Sequence, residues 1–143
     1  MELDKRDIDL HSVLCPLCDD DLETVDHSIV FCKHAIEIWD RVYKWWNMGS
    51  FASFNIHEVL GEESCPGSSA FGEKIWLAVQ WISAYIIWKN RNNKVFRGYC
   101  WTAPVAFNEI QIKSFEWITS KAKTKKLDWL TWISNPSSFL SVC

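Results

Sequence analysis

Cys15, Cys18, His27 and Cys32 stand in the pattern C-x2-C-x8-H-x4-C, which places three thiols and one imidazole within eighteen residues. These are the donors that Zn²⁺ takes in a tetrahedral shell, and a shell closed by four protein side chains is a structural site with no position left for a substrate. Two plainer readings compete. A Cys-x-x-Cys redox pair needs a positive neighbourhood or a helix N-terminus to lower a thiol pKa, whereas Asp19, Asp20 and Asp21 follow Cys18 at once. Chance spacing accounts poorly for a histidine and a third cysteine arriving at knuckle distance. The expected ligands are therefore Cys15, Cys18, His27 and Cys32 around one structural Zn²⁺. His34 is a weaker substitute, two residues past Cys32. Cys65, Cys100 and Cys143 read as isolated thiols, and His11 and His57 as surface residues.

No second constellation suggests catalysis. Three consecutive aspartates point three ways, whereas two-metal centres gather carboxylates from separate elements, so Asp19 to Asp21 read as a solvated turn. The chain shows no glycine-rich phosphate loop, no Ser/His/Asp set and no activated thiol. It is not expected to be an enzyme.

The ligand spacing constrains the elements around it. His27 and Cys32 would lie about 140° apart on an ideal α-helix, so one of them must sit at or before a helix start. Pro16 fixes one φ in the Cys15–Cys18 turn, favouring backbone amides directed at the first sulfur. From about Asp26 a helix is expected, because Ile29, Ile36, Trp39, Val42, Tyr43 and Trp46 recur at spacings of three, four and seven. Asn47 to Ser50 end it, with Gly49 suited to a left-handed position. Residues 50–70 read as a loop holding one short helical turn, Ile56 to Leu60.

A long helix is expected over about Phe71 to Asn92, apolar nearly all round and hence central and buried. The next starts near Thr102 with Pro104 in its first turn. Its inward stripe is Phe107, Ile110, Ser114, Trp117 and Ile118, and Glu109 and Lys113 form an i,i+4 pair on its solvent side. A short amphipathic turn carrying Leu127, Leu130 and Ile133 follows and stops at Asn135-Pro136. The fold class expected is mainly α, a small N-terminal CCHC zinc knuckle followed by about three longer helices and one short C-terminal helix. It forms one domain over 1–143, divided into knuckle and first helix (1–47), loop (48–70), helical region (71–134) and tail (135–143).

With 143 residues, ten Trp, eight Phe and three Tyr, the chain has enough apolar mass for a core. Residues 1–72 carry five Lys/Arg against fourteen Asp/Glu, giving −9, and residues 73–143 carry ten against four, giving +6. The basic residues form two groups: Lys89, Arg91, Lys94 and Arg97, then Lys121, Lys123, Lys125 and Lys126. Such groups could take phosphates in salt-sensitive, sequence-independent binding, and an exposed Trp could stack a base. The plainer reading is a solvated helix end. The charged start Met1 to Arg6 lacks the pattern of a secretory signal. The uncharged run Ile75 to Trp88, the most apolar part of the long helix, is fourteen residues, short of the roughly 20 a membrane span needs. An intracellular, nuclear or cytoplasmic location is expected, where clustered cysteines bind metal more readily than they form disulfides.

The segment CPLCDDDLETVDHSIVFCKHAIEIWDRVYKWWN resembles the zinc-binding domain that follows the reverse transcriptase of plant LINE-type (non-LTR) retrotransposons. IIWKNRNNKVF and IKSFEWITSKAK resemble stretches that come next in those proteins, so that the resemblance runs over roughly residues 3–126. It implies that Cys15, Cys18, His27 and Cys32 hold zinc, and that the chain is a non-catalytic accessory domain holding template RNA or target DNA during reverse transcription. It further implies a truncated remnant, because Met1 falls almost at the family's Leu-x-Lys-Arg linker, here Leu3-Asp4-Lys5-Arg6. Exposed Trp faces are then expected to seek a reverse transcriptase domain or a second copy of the chain. That makes a protein-interaction or self-association module with a purely structural zinc the alternative.

Overall fold

Thr24 starts the helical part of the chain by accepting a hydrogen bond on Oγ1 from the backbone N–H of His27, at 3.0 Å, which satisfies one of the donors a helix start leaves open. The computed structural model describes residues 14–18, 22–49, 51, 70–121 and 128–136. These hold a π-helical turn, His27–Phe31, and four α-helices: α1 (Lys33–Trp45), α2 (Ala70–Arg97), α3 (Ala103–Lys121) and the short α4 (Trp129–Ser134). The fold is mainly α, with the Cys/His cluster ahead of three longer helices and one short one. Among the described residues there is no strand, only an isolated antiparallel bridge between Leu14 and Leu22 that closes the knuckle.

The helix expected from Asp26 is broken. The Cys32 N–H donates to His27 O at 2.7 Å, an i→i+5 bond, and Cys32 itself is extended at ψ 139° before the chain turns helical again at Lys33. The far end of α1 closes as a Schellman motif: Met48 N–H donates to Tyr43 O at 2.8 Å and Asn47 N–H to Lys44 O at 3.1 Å. The left-handed residue there is Asn47, φ 57°, while Gly49 two positions on also has positive φ.

α2 runs one turn beyond its expected end, through Lys94, Val95, Phe96 and Arg97, and stops at Gly98, φ 79°. Its burial is one-sided. Ile75, Trp76, Val79, Gln80, Ser83, Ile86, Ile87 and Asn90 are buried, whereas Trp81, Tyr85 and Trp88 are 57%, 58% and 43% exposed. An apolar residue on every side therefore marked two faces of different use, of which only one meets the core. In α3, Ile110, Ser114 and Ile118 face inward as the stripe requires and Phe107 is half-buried against the core, but Trp117 is 46% exposed, and Ala106, outside the expected stripe, is buried. Lys113 pairs with Glu116 at 3.9 Å, not with the expected Glu109. Among the described residues an i,i+4 pair forms on α1, between Asp40 and Lys44 at 2.9 Å.

α2 and α3 pack against each other most extensively, α1 lies against both, and the π turn sits between α1 and α2. An aromatic cluster fills the middle. Trp45 meets Trp46, Phe107 and Trp132 edge-to-face at 5.3 to 5.8 Å, and Trp46 meets Trp76 at 5.2 Å. In α4 the buried anchor is Trp132, with no exposed surface, whereas Leu130 of the expected stripe is 68% exposed. Trp132 Nε1 donates to Gln111 O of α3 at 3.1 Å, and Trp45 Nε1 of α1 donates to Trp132 O at 2.9 Å. Asp128 caps α4 by accepting from Thr131 N–H at 3.0 Å. The acidic turn Asp19 to Asp21, the helical turn Ile56 to Leu60, Leu127, His11, His57, Cys65 and Cys143 lie outside the described residues. No helix among the described residues is long and apolar enough to cross a membrane.

Candidate metal centre

The Cys15–Cys18 turn brings the first two donors, the π turn the third, and the start of α1 the fourth. The ligand atoms of Cys15, Cys18, His27 and Cys32 all lie within 4.8 Å of one another. Cys15 Sγ and Cys32 Sγ are 3.7 Å apart, and Cys18 Sγ and His27 Nε2 are 3.3 Å apart. His34, half-buried on α1, does not belong to the cluster, which comprises the expected four residues and is able to hold a metal ion.

The π turn is what makes this meeting possible. On a continuous α-helix residues five apart diverge by about 140°. An i→i+5 hydrogen bond widens the turn so that residues five apart stand over one another, and the His27 O to Cys32 N bond is of that kind. The extended Cys32 then frees its side chain from the α1 register. Trp39 Nε1, nearly two turns into α1, donates to Ile29 O at 2.7 Å and holds the π turn against the helix.

Burial sets the electrostatics. Cys15 and Cys32 have no exposed surface, and desolvation, which penalises a charged thiolate, raises the pKa of both. Cys32 is pushed up to about 12, partly opposed by the His34 backbone amide. Cys15 is raised by burial and drawn back by the amides of Leu17 and Cys18, the arrangement expected of the Pro16 turn. These are poor nucleophiles, and they need a cation nearby to ionise.

A second feature fastens the cluster to the rest of the fold. Arg91 of α2 grips Glu23, just ahead of the π turn, at two points: Nη2 to Oε1 at 2.7 Å, and Nε to Oε2. Ser28 Oγ also donates to Glu23 Oε2 at 3.3 Å. The Arg91 guanidinium lies 4.9 Å from the centre of the Trp88 ring, a cation–π distance. The Glu23 carboxyl is held below its ordinary range, chiefly by the Arg91 hydrogen bonds, and Arg91 is raised in turn.

The expected phosphate-binding residues divide accordingly. Arg91 is occupied by Glu23. Lys89 lies 5.8 Å over the Trp101 ring, and Lys121 lies 5.9 Å over Trp117. Lys94 and Arg97 are exposed at the end of α2, and Lys123, Lys125 and Lys126 lie outside the described residues. Between α2 and α3 an apolar groove of about 370 Å³ is lined by Lys74, Leu77, Ala78, Trp81, Ile82 and Trp117. The helical spacing of its aromatics suggested core, and only the absence of a covering element among the described residues reveals a surface.

Site and fold together define a mainly helical structure with a Cys₃His cluster able to hold a metal ion. Comparison with known protein families, curated proteins and solved structures finds no match for this chain.

Proposed function

We propose that the cluster binds one structural Zn²⁺ and that the chain is a non-catalytic zinc-binding module of the kind found in LINE-type reverse transcriptases, with an accessory role in holding nucleic acid. The single observation carrying the zinc reading is the donor geometry. With Zn–S bonds of about 2.3 Å, two sulfurs of a regular tetrahedron stand about 3.8 Å apart, and Cys15 Sγ and Cys32 Sγ are separated by 3.7 Å. Three thiols and one imidazole close such a shell, and burial of two thiols excludes water from it. The ion would supply the positive charge that Cys15 and Cys32 need to ionise, and its binding energy would count toward folding.

The test is metal content and melting of the purified chain. One equivalent of zinc per chain is expected, with loss of zinc and a lower melting temperature on chelation. Cys15→Ser together with Cys18→Ser should do the same, and unchanged melting in that double variant would remove the structural role. The nucleic-acid role is tested by binding at two salt concentrations, since neutralising phosphates makes affinity fall steeply with salt.

A second reading, a protein-interaction or self-association module with the same structural zinc, draws on the α2–α3 groove. Five of its six lining residues are apolar or aromatic, and exposed apolar grooves commonly mark docking sites.

A further inference from the structure

We propose that the α2–α3 groove is a base-stacking platform for single-stranded nucleic acid, with Trp81 and Trp117 as stacking rings and Lys74 and Lys121 as phosphate-binding cations. The inference rests on the nucleic-acid reading above and names its surface, which keeps Lys121 of the two basic groups singled out by sequence and leaves out the basic α2 end.

Trp81 on α2 and Trp117 on α3 are 57% and 46% exposed and form opposite sides of one groove. Tyr85, 58% exposed, continues the α2 side about 6 Å further along the helix axis. Trp88 extends the same stripe but does not line the groove, so the rings offered to a ligand are Trp81 and Trp117, with Tyr85 beyond them. Sequence-tolerant binding of single strands needs such π faces beside cations that follow the backbone.

The charge distribution decides between a nucleic acid and a protein occupant. Lys74 lines the groove, Lys121 stands 5.9 Å over Trp117, and no carboxylate among the described residues lines it. Glu116, beside Trp117 in sequence, pairs with Lys113 at 3.9 Å, and Glu73 is exposed next to Lys74. Lysine is depleted at protein–protein interfaces, whereas here it flanks the aromatic rings. None of the six lining residues carries a side-chain amide or hydroxyl to read a base edge, so binding should be indifferent to sequence. Duplex DNA, with its bases stacked inside, offers these rings nothing.

The experiment uses the zinc-loaded full chain and a labelled twelve-nucleotide oligo(dT), read by anisotropy and tryptophan quenching at about 50 and 200 mM salt. Binding with quenching is expected, and weaker binding of a duplex of the same length. Trp81→Ala and Trp117→Ala should each weaken binding roughly tenfold, and Trp117→Phe should restore most of it. Lys74→Ala with Lys121→Ala should flatten the log–log salt slope by about 1.4, because each phosphate left without its lysine removes about 0.7. Both tryptophans are exposed, so zinc content and helicity should be unchanged in their variants. Binding that ignores the tryptophans but collapses in Lys94→Ala with Arg97→Ala overturns the groove while leaving the nucleic-acid role standing. Equal or better duplex binding overturns the stacking mode. Absence of binding at low salt overturns both this inference and the nucleic-acid role, and self-association abolished by Trp81→Ala would then assign the groove to a second copy.

Discussion

The guanidinium of Arg91 holds the carboxylate of Glu23 at two points, joining residues 68 apart in sequence. One belongs to the loop that leads into the metal cluster and the other to the longest helix, so the pair ties the N-terminal knuckle to the helical body. Its side chains are only 18% and 21% exposed, which leaves little solvent screening.

Removing one partner therefore leaves the other charge poorly solvated. Arg91→Ala or Glu23→Ala should destabilise the zinc-loaded chain by about 2 kcal/mol, and Arg91→Lys should cost nearly as much because a lysine cannot reproduce the two-point grip. Denaturant melts of the two single variants and the double variant check this. A coupling energy near zero would mean that the pair is ornamental to stability.

The same pair sets an acid dependence. The Glu23 carboxyl lies below its ordinary value of 4.5, mainly through Arg91. A carboxyl depressed on folding contributes stability that is fully present above the unfolded pKa and is lost as pH falls through the folded value. Wild type should thus lose stability below about pH 4.5 more steeply than Glu23→Gln. Release of a bound metal in acid would be common to both proteins, so the difference between their melting curves at matched metal content isolates the carboxyl. Parallel curves would refute this linkage.

Why this pair escaped a reading of the sequence is instructive. The ligand spacing is local, so Cys15, Cys18, His27 and Cys32 could be assembled from one short stretch, as could the Trp39 and Val42 face of α1. The Trp88 to Asn92 stretch looked like a cationic surface, because sequence carries charge but not distance. In the fold Arg91 meets Glu23, Lys89 lies over Trp101, and Asn90 turns inward to the α2–α3 connection. The π turn was equally hidden: hydrophobic periodicity ran straight through Cys32, and only the demand that His27 and Cys32 converge argued for a break. Trp81 and Trp117 were misjudged because helical periodicity cannot say whether an element covers a given face.

Metal-free protein should lose stability in alkali where metal-bound protein does not. Without a cation, burial raises Cys15 and pushes Cys32 from 9.0 up to about 12. Groups raised on folding contribute stability present below the unfolded pKa and lost as pH rises toward the folded value, so the metal-free fold should weaken from about pH 9 toward 12. Metal-bound thiols are already deprotonated and should show no such loss in this window. Because thiol protons leave on binding, zinc affinity should rise with pH through neutrality. Competition titrations at several pH values, with melts of both forms, provide the measurement. A zinc affinity independent of pH would exclude thiolate ligation by these cysteines.

The docking of α4 rests on one side chain. Trp132 is wholly buried against Trp45, Trp46 and Phe115, whereas Leu130 is 68% exposed. Trp132→Ala should cost about 3–5 kcal/mol and release α4 from α1 and α3, since the Nε1 bond to Gln111 goes with it. Leu130→Ala should stay within about 0.5 kcal/mol of wild type. Similar losses in both would mean that α4 is held by its apolar stripe and not by the indole.

Asn90 gives the sharpest test of the connection between α2 and α3. Only 2% exposed, it accepts from Trp101 N–H on Oδ1 at 2.6 Å and donates from Nδ2 to Trp101 O at 3.1 Å. Alanine would strip both partners from that backbone unit, costing about 1–3 kcal/mol for a buried group left unpaired. Aspartate keeps the acceptor but sets a carboxylate oxygen against the Trp101 carbonyl, and burial there favours the neutral acid. Protonated, the same group can again donate. Asn90→Asp should therefore be destabilised near pH 7 and regain stability as pH falls through its raised folded pKa, the reverse of the Glu23 dependence. If Asn90→Asp melts like wild type at neutral pH, the two hydrogen bonds to Trp101 do not secure the turn.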